Sequence, residues 1–322
     1  MKIRILVVLV GIWIGMISVS AFGEDVKYAQ SIVVAQDGSG DYTTINEALK
    51  KLKGDSEDPV RVYIKNGKYD EKILMNYTLN NVTLEGESRK GVVISHGDYA
   101  QLNNMGTSGS YTLRVDGNNI TLKNLTIENT AGPVGQAVAL HTTGDKIRVI
   151  DCDILGNQDT LYATGRNSRD LFDNCYIEGT VDFIFGAATA LFRNCHIHAK
   201  SDSYLTAAST AKENPVGYVF HNCKVTAAPD VKDVHLGRTW RPYASTHFIE
   251  CELPEAINPK GWHNWGKEEN EKTARYGEYK CTGPGAKDDE RVGWRKKLSA
   301  LEAAELTNPA QLFTRESTWI PD

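Results

Sequence analysis

Apolar and polar residues alternate in short runs along most of this 322-residue chain, and the runs recur. Five segments align on a cysteine: "VIDCDI", "FDNCYI", "FRNCHI", "FHNCKV" and "FIECEL". Each has Asp, Asn or Glu before the Cys and a branched apolar residue two places after it. An earlier segment, "LKNLTIEN", puts Leu125 in the Cys position behind Asn124, and "NNVTLEG" and "NNITLKN" are kin further upstream. From Leu125 onward the intervals are 27, 23, 20, 28 and 28 residues. Period-two alternation marks strands, and a unit of this length with Gly- and Asn-rich joints marks a solenoid with one coil per repeat. Leucine-rich repeats share the period, but their L-x-x-L-x-L frame and helical return segments are missing. The expected fold is all-β: a right-handed parallel β-helix whose inward side chains stack coil over coil, with Asn or Asp at the bends.

The ends depart from this pattern. "YTTINEALKKL" predicts one short helix over 42–52, capped by Thr43 or Thr44, with Ile45, Ala48, Leu49 and Leu52 on one face. It is expected to cover the open end of the stack. After Cys251 the clean period fades, and "GWHNW", "YGEY", "GPGA" and "RVGW" read as irregular, aromatic-pinned chain. A short helix around "SALEAAEL" is expected to pack back on the coils. At the other end, Lys2 and Arg4 precede an apolar run over 5–17, then Ala21 and Gly23 at the −3 and −1 positions of a cut before Glu24. That fits a secretory signal peptide over 1–23. The run is short for a bilayer anchor, which needs about 20 residues. The expected mature unit is one domain over 24–322, exported to the periplasm or medium, with no membrane attachment.

Composition narrows the function. The net charge of −5 offers no basic surface for nucleic acid. Six cysteines, at 152, 175, 195, 223, 251 and 281, lack the paired C-x-x-C spacing of a zinc site. Their period places them in the core as small apolar side chains, although export also allows a disulfide among them. "DGSGDY" lacks the G-K-[ST] that would complete a phosphate loop.

The candidate chemistry lies within 156–186, "GNQDTLYATGRNSRDLFDNCYIEGTVDFIFG". Asp159 is seven residues beyond Cys152, and Asp182 seven beyond Cys175. In a shared register the two carboxylates fall in one column on adjacent coils, about 4.8 Å apart. Two carboxylates that close cannot both ionise freely, which separates a proton donor from an anionic nucleophile. Asp202 and Asp230 also fall at +7 from a Cys, so spacing alone leaves open that +7 is a turn position favouring Asp. Further groups converge on the pair. Gln136 and Gln158 offer NH₂ donors for a developing oxyanion. Arg238 in "LGRTW" offers a charge to hold one carboxylate ionised, and Trp240, Tyr162 and Phe185 offer apolar walls for a sugar ring.

At this point the chain closely resembles the pectin methylesterases, carbohydrate esterases built on a right-handed parallel β-helix. The resemblance runs from "IVVAQDGSGDYTTINEAL" and "VYIKNGKYDEKI" through "LTIENTAGPVGQAVAL", "GNQDTLY", "CYIEGTVDFIFGAATALFRNC" and "LGRTW" to "GPGA" and "RVGW". It implies Asp182 as nucleophile, Asp159 as general acid and then base, and Gln136 and Gln158 as oxyanion donors. It also implies that Arg238 orients and charges Asp182, while Trp240 and Phe185 contact substrate rings. The implied substrate is methyl-esterified homogalacturonan, and the scheme requires no cofactor or metal. The start and secretion signal suggest a bacterial type of chain, and the capped solenoid ends suggest a monomer. One departure is visible: the family reads L-G-R-P-W, and Thr239 stands where it has Pro, which is expected to loosen the backbone there. A serine esterase route is disfavoured because no G-x-S-x-G occurs and the eight His lie outside the coil positions above. The rival readings are a pectate lyase or polygalacturonase on the same solenoid, and a non-catalytic uronan-binding solenoid.

Overall fold

A computed structural model describes residues 27–165, 167–314 and 317–321. The expected signal peptide over 1–23 lies outside the described residues. Three parallel sheets of eleven, seven and eight strands form the faces of a parallel β-helix. Successive coils contribute one strand to each, as where Arg169–Asp173, Tyr176–Gly179 and Ile184–Gly186 follow one another around a coil.

The cysteine repeat is the corner between the first two sheets. Residues 124, 151, 174, 194, 222 and 250, each directly before the Leu or Cys of its repeat, have φ between 53° and 56°. This left-handed turn of a single residue swings the chain from one sheet into the next. Asn and Asp tolerate it better than other side chains. Stacked corners bond to one another: Asn174 Nδ2 donates to Asp151 Oδ1 at 2.5 Å, and Asn222 Nδ2 to Asn194 Oδ1 at 2.7 Å. The residue after the corner then points inward. All six cysteines are free thiols, five buried and Cys281 half-buried. Their Sγ atoms sit near backbone carbonyls, as Cys175 does with Val149 O at 3.2 Å. The interior continues as columns of like residues, including Phe172, Phe192, Phe220 and Phe248 with ring centroids 4.4 to 4.7 Å apart.

The ends differ in detail from expectation. The first helix is Ile45–Lys51, with Thr44 as its N-cap. It starts late because Tyr42 is held by a backbone bridge to Val34. Glu71 accepts from the Ile45 and Asn46 N–H groups at 2.8 and 2.9 Å, completing the helix start. Beyond Cys251 the coil persists for another turn. Arg275–Tyr279 pairs with Ser245–Ile249, and Glu252 bridges Thr282, which brings Cys281 into the cysteine column. The corner residue of this coil is Lys280, with φ 48°, rather than Asn, Asp or Glu, so the coil does not match the repeat in the sequence. Helix Ala300–Thr307, with a Ser299 and Glu302 capping box, packs with Phe313 and Trp319 on Leu171, Leu191, Val219 and Ile249 of the first sheet.

Candidate active site

The outer face of the eight-stranded sheet carries a cleft of about 540 Å³. Its floor is a column of rings fixed by strand register. His141 pairs with Tyr162 and Tyr162 with Phe185. Their centroids are 4.4 and 4.1 Å apart, near parallel. Trp240 closes one side, 5.9 Å from Phe185 and tilted by 57°. His141 thus shares the column with the proposed ring contacts, contrary to the sequence reading, but it is buried under Tyr162 and burial pushes its imidazole down to about 4. Gly186 ends the Phe185 strand with φ +122°, where a Cβ would stand 2.1 Å from Ala163 O.

Asp159 and Asp182 both line this cleft, as Gln136, Gln158 and Arg238 do. Simple alternation would point both carboxylates inward, because Asp159 has the parity of buried Leu161 and Ala163, and Asp182 that of Ile184. Left-handed φ values of 65° and 50° break the alternation and turn both into the cleft. Each is only 6–7% exposed. The coil register places them one above the other, since Leu161 pairs with Ile184. Asp202 does not join them. Between Cys195 and the next strand the coil is two residues longer, so Ile184 pairs with Thr206 and Tyr204 takes the place above Asp182. Asp202 is exposed and accepts the Lys232 and Asp233 N–H groups, a turn role, and Asp230 is exposed too.

The two carboxyls differ electrostatically. Arg238 grips Asp182, Nε to Oδ1 at 2.8 Å and Nη2 to Oδ2 at 2.6 Å. Burial pushes the Asp182 carboxyl up, and the Arg238 bonds and charge oppose it. Asp159 is pushed to about 8, first by burial and then by the Asp182 charge, with Arg238 pulling it back. Burial therefore outweighs the mutual repulsion that the spacing argument put first. The Asp182 carboxyl stays raised overall, but only Asp159 is carried to about 8, so the guanidinium-paired Asp182 is the member that ionises first.

Gln136 and Gln158 sit on adjacent coils, where Ala137 N donates to Gln158 O at 3.1 Å. The Gln136 Oε1 accepts from Gln101 Nε2 at 3.4 Å, which leaves its NH₂ to donate. Sequence reasoning missed the surroundings of Arg238. Its guanidinium lies between the rings of Tyr204 and Trp265, 4.1 and 3.8 Å from their centroids. Trp265 comes from "GWHNW", an aromatic cluster visible in the sequence but 27 residues from Arg238. Residues 105–108 close the cleft opposite. Thr239 is 1% exposed, and its Oγ1 accepts from Asn270 Nδ2 at 2.8 Å.

A family model described as Pectinesterase matches residues 31–317. The chain belongs to the pectinesterase family. It is 35% identical to probable pectinesterase/pectinesterase inhibitor 58 of Arabidopsis thaliana over 90% of its own length, and spans about half of that relative, 53%. Pectin methylesterase from carrot superposes with a TM-score of 0.83 at 33% identity, covering 90% of this chain and 94% of that one. A pectin methylesterase solved in complex with a hexasaccharide gives 0.78 at 30% identity, covering 92% and 100%.

Proposed function

We propose that this chain hydrolyses the C6 methyl esters of homogalacturonan, releasing methanol and leaving free uronate. The single observation that carries the proposal is the unequal carboxyl pair: Asp182 ion-paired to Arg238 beside Asp159 held protonated at neutral pH.

In this reading Asp182 attacks the ester carbonyl carbon, and charge builds on an oxygen facing the Gln136 and Gln158 amides. The C–OCH₃ bond breaks as Asp159 gives its proton to the departing methanol. The product is an anhydride between Asp182 and the substrate carboxyl. Formation of the anhydride removes the Asp182 charge that raised Asp159, while Arg238 still favours the Asp159 carboxylate. Asp159 is thereby prepared to take a proton from the water that attacks the anhydride. Hydrolysis returns the Asp182 carboxylate, leaves the water's first proton on Asp159 and frees the uronic acid, which loses the second to solvent and departs as uronate. The stacked Tyr162 and Phe185 with Trp240 supply apolar faces on which sugar rings rest.

The chain is proposed to act as one catalytic unit over 24–322 and as a monomer. Among the described residues no helix is long and apolar enough to cross a membrane. Export follows from the N-terminal segment and from a substrate too large to enter a cell, and N-terminal sequencing of the exported protein should begin at Glu24.

The test is methanol release from highly methylated homogalacturonan in the presence of EDTA, comparing the unaltered chain with D182A. Release by the first and near-absence from the second is expected. Chain shortening or unsaturated products without methanol would overturn the esterase reading in favour of a hydrolase or lyase.

A further inference from the structure

Arg238 does not hold its position alone. It leaves the strand Val234–Thr239 on the cleft side, between Tyr204 below and Trp265 above. Tyr204 is fixed by its own strand, Ser203–Ala208. Trp265 is not in a strand. It sits on a turn with φ +62° and is followed by Gly266 at +67°. Such a turn needs external restraint to keep its indole flat on a guanidinium.

Three bonds anchor the turn locally. Trp265 N–H donates to His263 Nδ1 at 3.1 Å, Gly266 N–H to Asn264 Oδ1 at 2.8 Å, and Asn264 Nδ2 to Glu271 Oε1 at 2.7 Å. These shape the turn, and the strand Trp262–His263 that leads into it pairs with Gly237 and Arg238. A second tie, on the far side of the turn, is supplied by Asn270, 2% exposed, in the short helix Glu268–Glu271. Its Nδ2 donates to Thr239 Oγ1 at 2.8 Å and also lies 3.4 Å from Thr239 O and from Asn264 O. One buried amide therefore bridges the residue next to Arg238 and the residue next to Trp265. Proline at 239 would offer no hydroxyl for this bond.

We infer that the bond between Asn270 and Thr239 is a positioning element of the active cleft, pressing the Trp265 turn onto Arg238 so that the guanidinium stays bidentate on Asp182. Thr239 and Asn270 are positioning residues, acting through Trp265 and Arg238. The inference rests on the esterase reading for its kinetic consequence, but the geometry it asserts does not depend on it.

T239V keeps the shape and removes the hydroxyl, leaving a buried amide without its close acceptor. T239S restores the hydroxyl. The kinetic readout is the pH profile of kcat/KM for methanol release. In T239V a loosened Arg238 holds Asp182 less firmly ionised, so the acid limb moves to higher pH and kcat/KM at neutral pH falls about tenfold. T239S is expected to match the unaltered chain. The second readout is the Arg238 Nε–H resonance in ¹⁵N-labelled protein, identified by its loss in R238K. It should lie at low field in the unaltered chain and in T239S, and move or broaden in T239V. An unchanged resonance and an unshifted acid limb in T239V would overturn the inference, whatever happens to Tm. Equal impairment of T239S and T239V would overturn it too. Should the unaltered chain release no methanol, the esterase reading falls, and the resonance by itself decides the positioning role.

Discussion

Asp182 receives both bonds of the Arg238 guanidinium, whereas Asp159, one coil away in the same column, feels that charge only at a distance. This asymmetry is what divides one pair of identical side chains into an anion and an acid. The predictions below test its parts.

Replacing Arg238 by Lys keeps the charge but not the planar fork. We expect R238K to lower kcat/KM about 10- to 100-fold and to move the acid limb of its pH profile upward, since a single ammonium holds Asp182 less firmly. R238A should lose more. Methanol release across pH 4 to 9 checks both, and an unmoved acid limb in R238K would show that the fork is not what keeps Asp182 ionised.

Asp159 should set the alkaline limb of the profile, near its value of about 8, because activity requires its proton. D159N is expected to lose about 10²- to 10⁴-fold in kcat. The stability effect has the opposite sign. A carboxyl raised from 3.8 to about 8 keeps its proton in the folded chain while the unfolded chain loses it, so stability falls as pH rises through that window. D159N removes this loss and should melt higher than the unaltered chain at pH 7.5, with the difference shrinking toward pH 4. Calorimetry at the two pH values decides it.

The two amides are predicted to act on the transition state rather than on binding. Q136A and Q158A should each lower kcat by about 10² to 10³ with little change in KM. A rise in KM at constant kcat would assign them to substrate binding instead.

Asp170 supplies a control away from the cleft. It is fully buried inside the coils, accepts from Thr142 Oγ1 at 2.7 Å, and is pushed to about 8 by burial against the pull of that bond. By the same sign argument it costs stability between about pH 4 and pH 8. D170N should raise Tm by a few degrees at pH 8, roughly the shift expected of 1–2 kcal/mol in a chain of this size. It should leave the shape of the activity profile intact. A parallel Tm offset at every pH would show that Asp170 is not protonated in the folded chain.

The coil architecture was legible because each repeat must solve the same local problem. A corner needs a left-handed residue, hence Asn or Asp, and the next position must enter a packed interior, hence Cys or Leu. The pairing of Asp159 with Asp182 was legible for the same reason, because the coils bearing them share one length between corner and strand. The same count failed at Asp202, where two added residues put Tyr204 in the column instead. It also failed after Cys251, where Lys280 at the corner and Gly283 two places beyond Cys281 concealed another full coil.

The sequence by itself determined the solenoid, its bends, and the carboxyl, amide and guanidinium groups at the centre of the cleft, while Trp265 and residues 105–108 that also line it were not foreseen. Tertiary structure decided which way those residues face and what surrounds them. Asp159 and Asp182 have the parity of inward residues and reach the cleft only through left-handed backbone. Strand Trp262–His263 pairs with Gly237 and Arg238 one coil on, and only the turn and short helix that follow it bring Trp265 to Arg238 and Asn270 to Thr239. Contacts of that kind depend on where a loop lands, and no periodic rule along the chain records it.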